Sequence, residues 1–159
     1  ETMGHRGYGQ TLREEAHRLG LTDRVIFAGQ RDDVTALYAQ MDVVVLCSVR
    51  PESFGRILIE AMACERPVLA TDLGGPKEIL AVGDCGLLVP PGDPAALAAA
   101  ILKLHSDPGL RREMGRRGRR RVSELFTIER HVAGVAAIYG RLLEKSDLAD
   151  GGRVKETAR

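Results

Sequence analysis

Two glutamates, Glu52 and Glu60, stand with seven residues between them in the stretch Pro51-Glu52-Ser53-Phe54-Gly55-Arg56-Ile57-Leu58-Ile59-Glu60. A carboxylate accepts hydrogen bonds, so each can take the hydroxyls of a sugar. Glu52 falls in a polar loop; Glu60 falls about a turn and a half into the helix expected after it. The amides of Phe54, Gly55, Arg56 and Ile57 are the donors expected at that helix start, and Gly55 has no side chain to block an approaching anion. The segment lies between the carboxyl end of a strand and the first turns of a helix, where open α/β sheets bind ligands. A second strand-to-helix turn, Ala70-Thr71-Asp72-Leu73-Gly74-Gly75-Pro76-Lys77-Glu78, adds the pair Gly74 and Gly75 and a Pro at a helix start. Two helix starts with open backbone on one crevice suit a diphosphate and a sugar. Spacing alone leaves the plainer reading open, because every α/β protein has such loops and a surface Glu on a helix is most often only solvated.

The elements around these residues alternate. Leu12, Ala16 and Leu19 share one helical face and Gly20 is placed to close it, which predicts a helix over about Gln10 to Leu19. Gly4, Gly7 and Gly9 form no GxGxxG and read as a flexible start. Arg24-Val25-Ile26-Phe27-Ala28 reads as a short buried strand, and Asp32 or Asp33 as the cap of a helix carrying Val34, Leu37, Tyr38 and Met41. Asp42 to Cys47 is apolar on both faces, as strands covered on both sides are. A helix over Phe54 to Glu65, a strand over Pro67 to Thr71, a short helix from Pro76 and a strand over Gly86 to Val89 follow. Asp93-Pro94 and Asp107-Pro108 each give a cap with Pro at the first helical position, opening helices to about His105 and Leu125. The last helix begins near Thr127 with a stripe of Ile128, Val132, Val135, Tyr139 and Leu142. The fold class expected is α/β, a Rossmann-like parallel sheet flanked by helices, over residues 1–145, with 146–159 a flexible tail.

Composition narrows the functions. The chain has 159 residues and 44% hydrophobic composition, which suits one compact domain. Its net charge is +1, so no global field draws it to nucleic acid or membrane. With no Trp and 4% aromatics it lacks material for single-strand stacking platforms. Cys47, Cys64 and Cys85 form no CxxC pair and His5, His17, His105 and His131 are scattered, so neither a disulfide framework, a zinc site nor any other metal is expected. Val43 to Cys47 and Ala95 to Leu102, the longest apolar stretches, are far too short to span a bilayer, and the first residues show no signal-peptide apolar region. The expectation is a soluble, cytoplasmic chain.

The order Arg24-Val25-Ile26-Phe27-Ala28-Gly29, Asp42-Val43-Val44-Val45, Glu52-Ser53-Phe54-Gly55 through Glu60-Ala61-Met62-Ala63, Pro67-Val68-Leu69-Ala70-Thr71, Gly74-Gly75-Pro76-Lys77-Glu78 and Gly86-Leu87-Leu88-Val89 resembles the C-terminal, donor-binding half of family 4 retaining glycosyltransferases of the GT-B fold. The resemblance runs from about residue 10 to 143. It implies that Glu52 meets the donor sugar's hydroxyls near the anomeric carbon, as the catalytic position. It implies further that the Phe54 to Ile57 backbone contacts sugar and diphosphate, that Glu60 holds the ribose, and that the Gln30-Arg31 loop lies beside the base. Ser48, at the matching strand end, is a further lining candidate. Arg56 departs from the pattern, which favours an aliphatic residue there; its charge can face the phosphates or solvent.

The resemblance also implies parts that this chain lacks: a first strand with a loop bearing an Arg and a Lys that clamp the diphosphate, a second strand, and an N-terminal domain that binds the acceptor. In the doubly wound order the missing strands lie between Arg24–Ala28 and Asp42–Cys47, so these either close on each other or leave a bare edge. The implied function is transfer of a hexose-type sugar from a nucleoside-diphosphate sugar to an unidentified acceptor, with no cofactor, the nucleotide-activated sugar being the donor substrate. This chain alone is expected to bind donor weakly and to turn nothing over. The alternative is a non-catalytic sugar-nucleotide-binding subunit or sensor.

Arg111, Arg112, Arg116, Arg117, Arg119, Arg120 and Arg121 form a basic segment, and a charge run on a helix is most often a solvated face. No nucleic-acid partner is expected; peripheral contact with the inner face of a membrane is kept as a role for the full-length enzyme. A phosphate-receiver domain has similar alternation but needs an Asp at the end of the central strand, where this chain reads Leu46-Cys47-Ser48. A glycoside hydrolase using Glu52 and Glu60 fits poorly, with Glu60 tied to the helix rather than set across a sugar.

Overall fold

The computed structural model describes residues 3–80 and 84–150, with side chains over 7–80 and 84–143. The chain divides into two compact units, Glu1–Val34 and Thr35–Arg159.

The first unit is built on α1 (Met3–Arg18), which starts seven residues ahead of Gln10 and takes in Gly4, Gly7 and Gly9, expected as a flexible start. Single glycines cost a helix about 1 kcal/mol each without ending it. Here Thr11 Oγ1 donates to the Gly7 carbonyl at 3.1 Å and Arg13 Nη1 to that of Gly9 at 3.3 Å. Gly20, at φ 68°, ends the helix as expected: its N–H donates to His17 O at 3.0 Å and that of Leu21 to Ala16 O at 2.8 Å, the paired bonds of a Schellman stop. The strand expected over Arg24–Ala28 is absent. The amides of Arg24 and Val25 turn back to Leu21 O, and Ile26 is 89% exposed. A strand exists only where a neighbour takes its backbone bonds, and the apolar run is set to work differently: the Arg13 guanidinium lies 4.7 Å over the Phe27 ring.

The second unit carries the sheet. After α2 (Val34–Gln40) come β1 (Val44–Leu46), α3 (Arg56–Ala63), β2 (Val68–Thr71), α4 (Gly75–Leu80), β3 (Gly86–Val89), α5 (Pro94–Ser106), α6 (Pro108–Leu125) and α7 (Ile128–Asp150). The order across the sheet is β1-β2-β3, all parallel, with Val44 opposite Val68 and Val68 opposite Gly86. The central strand is wholly buried, as its unbroken Val68-Leu69-Ala70 run requires. Among the described residues β1 has a strand on one side only, so the expected closure of two strands on each other is not formed. Only three of the residues expected in that strand pair, which shortens the edge.

The two cap-and-proline signals form as expected: Asp93 accepts from the Ala96 amide at 2.9 Å and Asp107 from that of Leu110 at 2.8 Å. On α6 the arginines do structural work. Arg111 donates to the carbonyls of Leu104 and His105 at the end of α5, Arg119 to that of Ala63 at the end of α3, and Arg121 to that of Ile79 in α4 at 2.8 Å. These carbonyls lie in last helical turns, which lack intrahelical donors and attract cations. Gly115 and Gly118 let α6 close on α3: a Cβ on Gly115 would sit 2.1 Å from Glu65 O. Arg121→Met is therefore expected to lower unfolding free energy in urea by about 1–2 kcal/mol, and Arg120→Met, at an exposed position, by less than about 0.5 kcal/mol. Equal losses would contradict this division of roles.

The sequence left the α7 stripe between burial on the domain's own core and partial exposure; Ile128, Val132, Val135, Tyr139 and Leu142 are all exposed, Ile128 at 78%. The sheet and α3 are already packed by α4, α5 and α6. The helix also runs to Asp150, into the segment read as tail; residues 151–159 of that tail lie outside the described residues.

Candidate functional site

Parallel strands put Leu46, Thr71 and Val89 at one end of the sheet, and the chain leaves β1 and β2 there through the two loops singled out above. Thr71 Oγ1 donates to Ser48 O at 2.7 Å, tying the end of β2 to the first residues of the loop after β1. The Gly75 N–H donates to Glu52 O at 2.9 Å. The Gly74-Gly75 pair presses against the loop itself: a Cβ on Gly74 would lie 2.3 Å from Glu52 O, and one on Gly75 2.3 Å from Phe54 O. Gly74 also has φ 57°. The bare α-carbons expected to leave an open crevice thus seat the backbone of Glu52–Phe54.

α3 begins at Arg56, two residues later than expected, and Gly55 precedes it at φ 87°, a left-handed conformation that favours glycine. Leu58 N–H bonds to Gly55 O at 2.9 Å. The first-turn amides left without an intrahelical acceptor are those of Arg56 and Ile57. Phe54 stands half-exposed beside them, its ring edge-on to Phe126 with centroids 6.1 Å apart.

Glu60, half-buried on α3, is held from two sides. Arg56 Nε lies 2.9 Å from Oε1, and Tyr38 Oη donates to Oε2 at 3.2 Å. Arg56, largely in solvent, pairs with Glu60 one turn on, and at 83% exposure the pair adds only about 0.3–0.5 kcal/mol. Burial, then the Glu60 charge, pushes the Tyr38 phenol up, so it stays a protonated donor.

The structure thus brings Ser48, Glu52, Phe54, Gly55, Arg56, Ile57, Glu60, Gly74 and Gly75 to the carboxyl end of the sheet. Gln30 and Arg31 belong to the first unit, where Arg31 forks onto Asp33 at 2.8 and 2.6 Å. Tyr38, Thr71 and Phe126 were missed as site residues. The signal for Thr71 was a hydroxyl closing an apolar strand; Tyr38 read only as core. In sequence, one carboxylate stands on either side of two helix-start amides, and among the described residues no group of three His, Cys, Asp or Glu is placed to hold a metal.

Residues 3–121 match the family described as Glycosyl transferases group 1. The chain belongs to this family of glycosyltransferases, and its Rossmann-like parallel sheet flanked by helices is that of a GT-B domain. N-acetyl-alpha-D-glucosaminyl L-malate synthase of Bacillus anthracis is 40% identical over 129 residues, covering 81% of this chain and 34% of that protein. The crystal structure of Anabaena Alr3699/HepE in complex with UDP aligns with a TM-score of 0.83 and 32% identity, covering 87% of this chain and 38% of that one. The C-terminal domain of the group 1 glycosyl transferase LpcC from Francisella tularensis aligns with a TM-score of 0.66 and 28% identity, over 77% of this chain and 64% of that one. The chain thus spans little more than a third of the length of the first two. No described helix is long and apolar enough to cross a membrane.

Proposed function

We propose that this chain is the donor-binding domain of a family 4 retaining glycosyltransferase that takes a hexose-type sugar from a nucleoside-diphosphate sugar and passes it to an acceptor bound by another part of the protein, in the cytoplasm. The observation that carries the reading is the loop from Glu52 to Gly55, clasped by Gly74-Gly75 so that the open amides of Arg56 and Ile57 lie between Glu52 and Glu60 in sequence. Glu52 accepts from the donor sugar's hydroxyls beside the anomeric carbon. The Phe54 to Ile57 backbone receives the diphosphate, with Ser48 and the Gly74-Gly75 turn lining its seat. Glu60 takes the ribose. Departure of the diphosphate is stabilised by helix-start amides and basic side chains without a metal, and the acceptor attacks from the face that the leaving group vacates. The UDP complex of the Anabaena neighbour supports a nucleotide ligand, and the excised C-terminal domain of the Francisella neighbour supports assignment to that half.

Calorimetric titration with UDP, GDP and ADP tests the reading. One base is expected to bind, weakly, near the millimolar range, and the pure 159-residue protein to catalyse no sugar transfer. Absence of binding by all three to the folded chain contradicts the reading; turnover by this chain alone contradicts the need for another acceptor domain.

A further inference from the structure

We infer that Tyr38 is the positioning residue of Glu60, a buried phenol on a separate helix that fixes one carboxylate oxygen so that the other is presented to the nucleotide's ribose. The inference rests on the reading above that Glu60 takes the ribose.

The grip on Glu60 is unequal. Tyr38 is 5% exposed, so its ring cannot turn away without emptying the space it fills beneath α3. Its hydroxyl needs an acceptor there, because a buried donor left unpaired is costly. Glu60 Oε2, at 3.2 Å, supplies it. Arg56, in contrast, approaches Oε1 from solvent with a long, exposed side chain, and such a pair is weak and readily exchanged. An arriving hydroxyl can displace Arg56 from Oε1; it cannot displace Tyr38 from Oε2. A carboxylate has about four lone-pair sites, so both oxygens keep capacity for a vicinal diol while the phenol stays bound.

The benefit is preorganisation. A free Glu side chain must freeze its rotamers when a ligand arrives, whereas one already held by a buried donor has less freedom to lose. The groups facing the phenol support a fixed donor: burial and the charges of Glu60 and Cys64 push its ionisation to higher pH, and only Arg56 opposes them. Tyr38 thus remains protonated throughout the neutral range. Loss of that proton at high pH would set phenolate against carboxylate.

Tyr38→Phe removes the hydroxyl and keeps the ring. Binding of the preferred nucleoside diphosphate and of its 2′,3′-dideoxy analogue is measured for the parent chain, Tyr38→Phe, Glu60→Ala and the double variant. Tyr38→Phe is expected to weaken the ribonucleotide about two- to tenfold, the loss of one hydrogen bond, and to leave the dideoxy analogue unchanged. In the Glu60→Ala background it is expected to do nothing further. Equal weakening of both nucleotides, or an undiminished effect without Glu60, overturns the inference and leaves Tyr38 a core residue. A parent chain that does not distinguish the two nucleotides defeats the ribose reading itself. The coupling has a second readout that needs no ligand: in ultraviolet titration Glu60→Gln is expected to let Tyr38 ionise at lower pH, and an unmoved ionisation also overturns the inference.

Discussion

Gly75→Ala is expected to unseat the Glu52 loop, lowering stability and abolishing nucleotide binding together. The added carbon would sit 2.3 Å from Phe54 O and 2.5 Å from Phe54 Cα, both backbone atoms that cannot swing aside as a side-chain tip can. Either the loop after β1 or the start of α4 must move. Overpacking of this kind costs about 1–3 kcal/mol, and the displacement falls where Gly75 N–H meets Glu52 O. Binding should fail even at temperatures where the variant is folded, because the carboxylate and the Arg56 and Ile57 amides no longer keep their relative places. Gly134→Ala in α7 is the matched control. A Cβ there meets nothing within 4 Å, and alanine in a helix is favoured over glycine by up to about 1 kcal/mol, so this variant is expected to be at least as stable as the parent. Urea unfolding with nucleotide titration on both variants reads the contrast. A Gly75→Ala chain of parental stability and affinity would mean that the clasp is not what sets the loop.

Glu60→Ala is expected to weaken the preferred ribonucleotide about ten- to a hundredfold, the range for losing charge-assisted hydrogen bonds worth about 1.5–3 kcal/mol. It also carries a structural signature. The Tyr38 hydroxyl loses its acceptor inside the fold, so melting temperature falls as well, while Glu60→Gln keeps an acceptor and falls less. The phenol's raised ionisation sets the sign of the alkaline limb. The folded state holds its proton more tightly than the unfolded chain, so this contribution to stability is complete below the unfolded-state value and is lost as pH rises through the folded one. Arg56→Leu, removing the exposed competitor, is expected to leave stability within about 0.5 kcal/mol.

Local signals carried most of the fold. Asp93-Pro94, Asp107-Pro108 and Gly20 act within a few residues of themselves, and each helix boundary they announced lies where they put it. The buried strands were legible because Val44 to Leu46 and Val68 to Ala70 are apolar without alternation. What failed depended on distant partners. Arg24–Ala28 has a strand's composition, but a strand is a relation between two segments, and composition does not supply the second. For the α7 stripe the sequence left burial and exposure both open, because periodicity states which face is apolar, not whether a surface waits for it.

The site divides in the same way. Glu52, Gly55 and Glu60 were legible from their order around a strand-to-helix turn, and the structure sets them at that turn. The function of the Gly74-Gly75 pair was not, because a glycine that opens a crevice and one that seats a neighbouring backbone look identical in sequence. Arg56 stood out as a departure, but its partner one turn along the helix needed a rotamer to reveal. Tyr38 lies more than twenty residues before Glu60, on an apolar helical face where a tyrosine is ordinarily core. The arginines of α6 looked like a surface charge run; the carbonyls that several of them cap belong to three other helices.

The central claim is that a nucleoside diphosphate binds at the carboxyl end of this sheet. The most direct measurement is the amide NMR spectrum of the chain during titration with UDP, GDP and ADP, repeated on Glu60→Ala. The account predicts shifts clustered at Phe54 to Ile57, Gly74 and Gly75 for one of the three nucleotides, strongly reduced in the variant. Shifts centred instead on the arginines of α6, or shifts that the variant leaves unchanged, would contradict it.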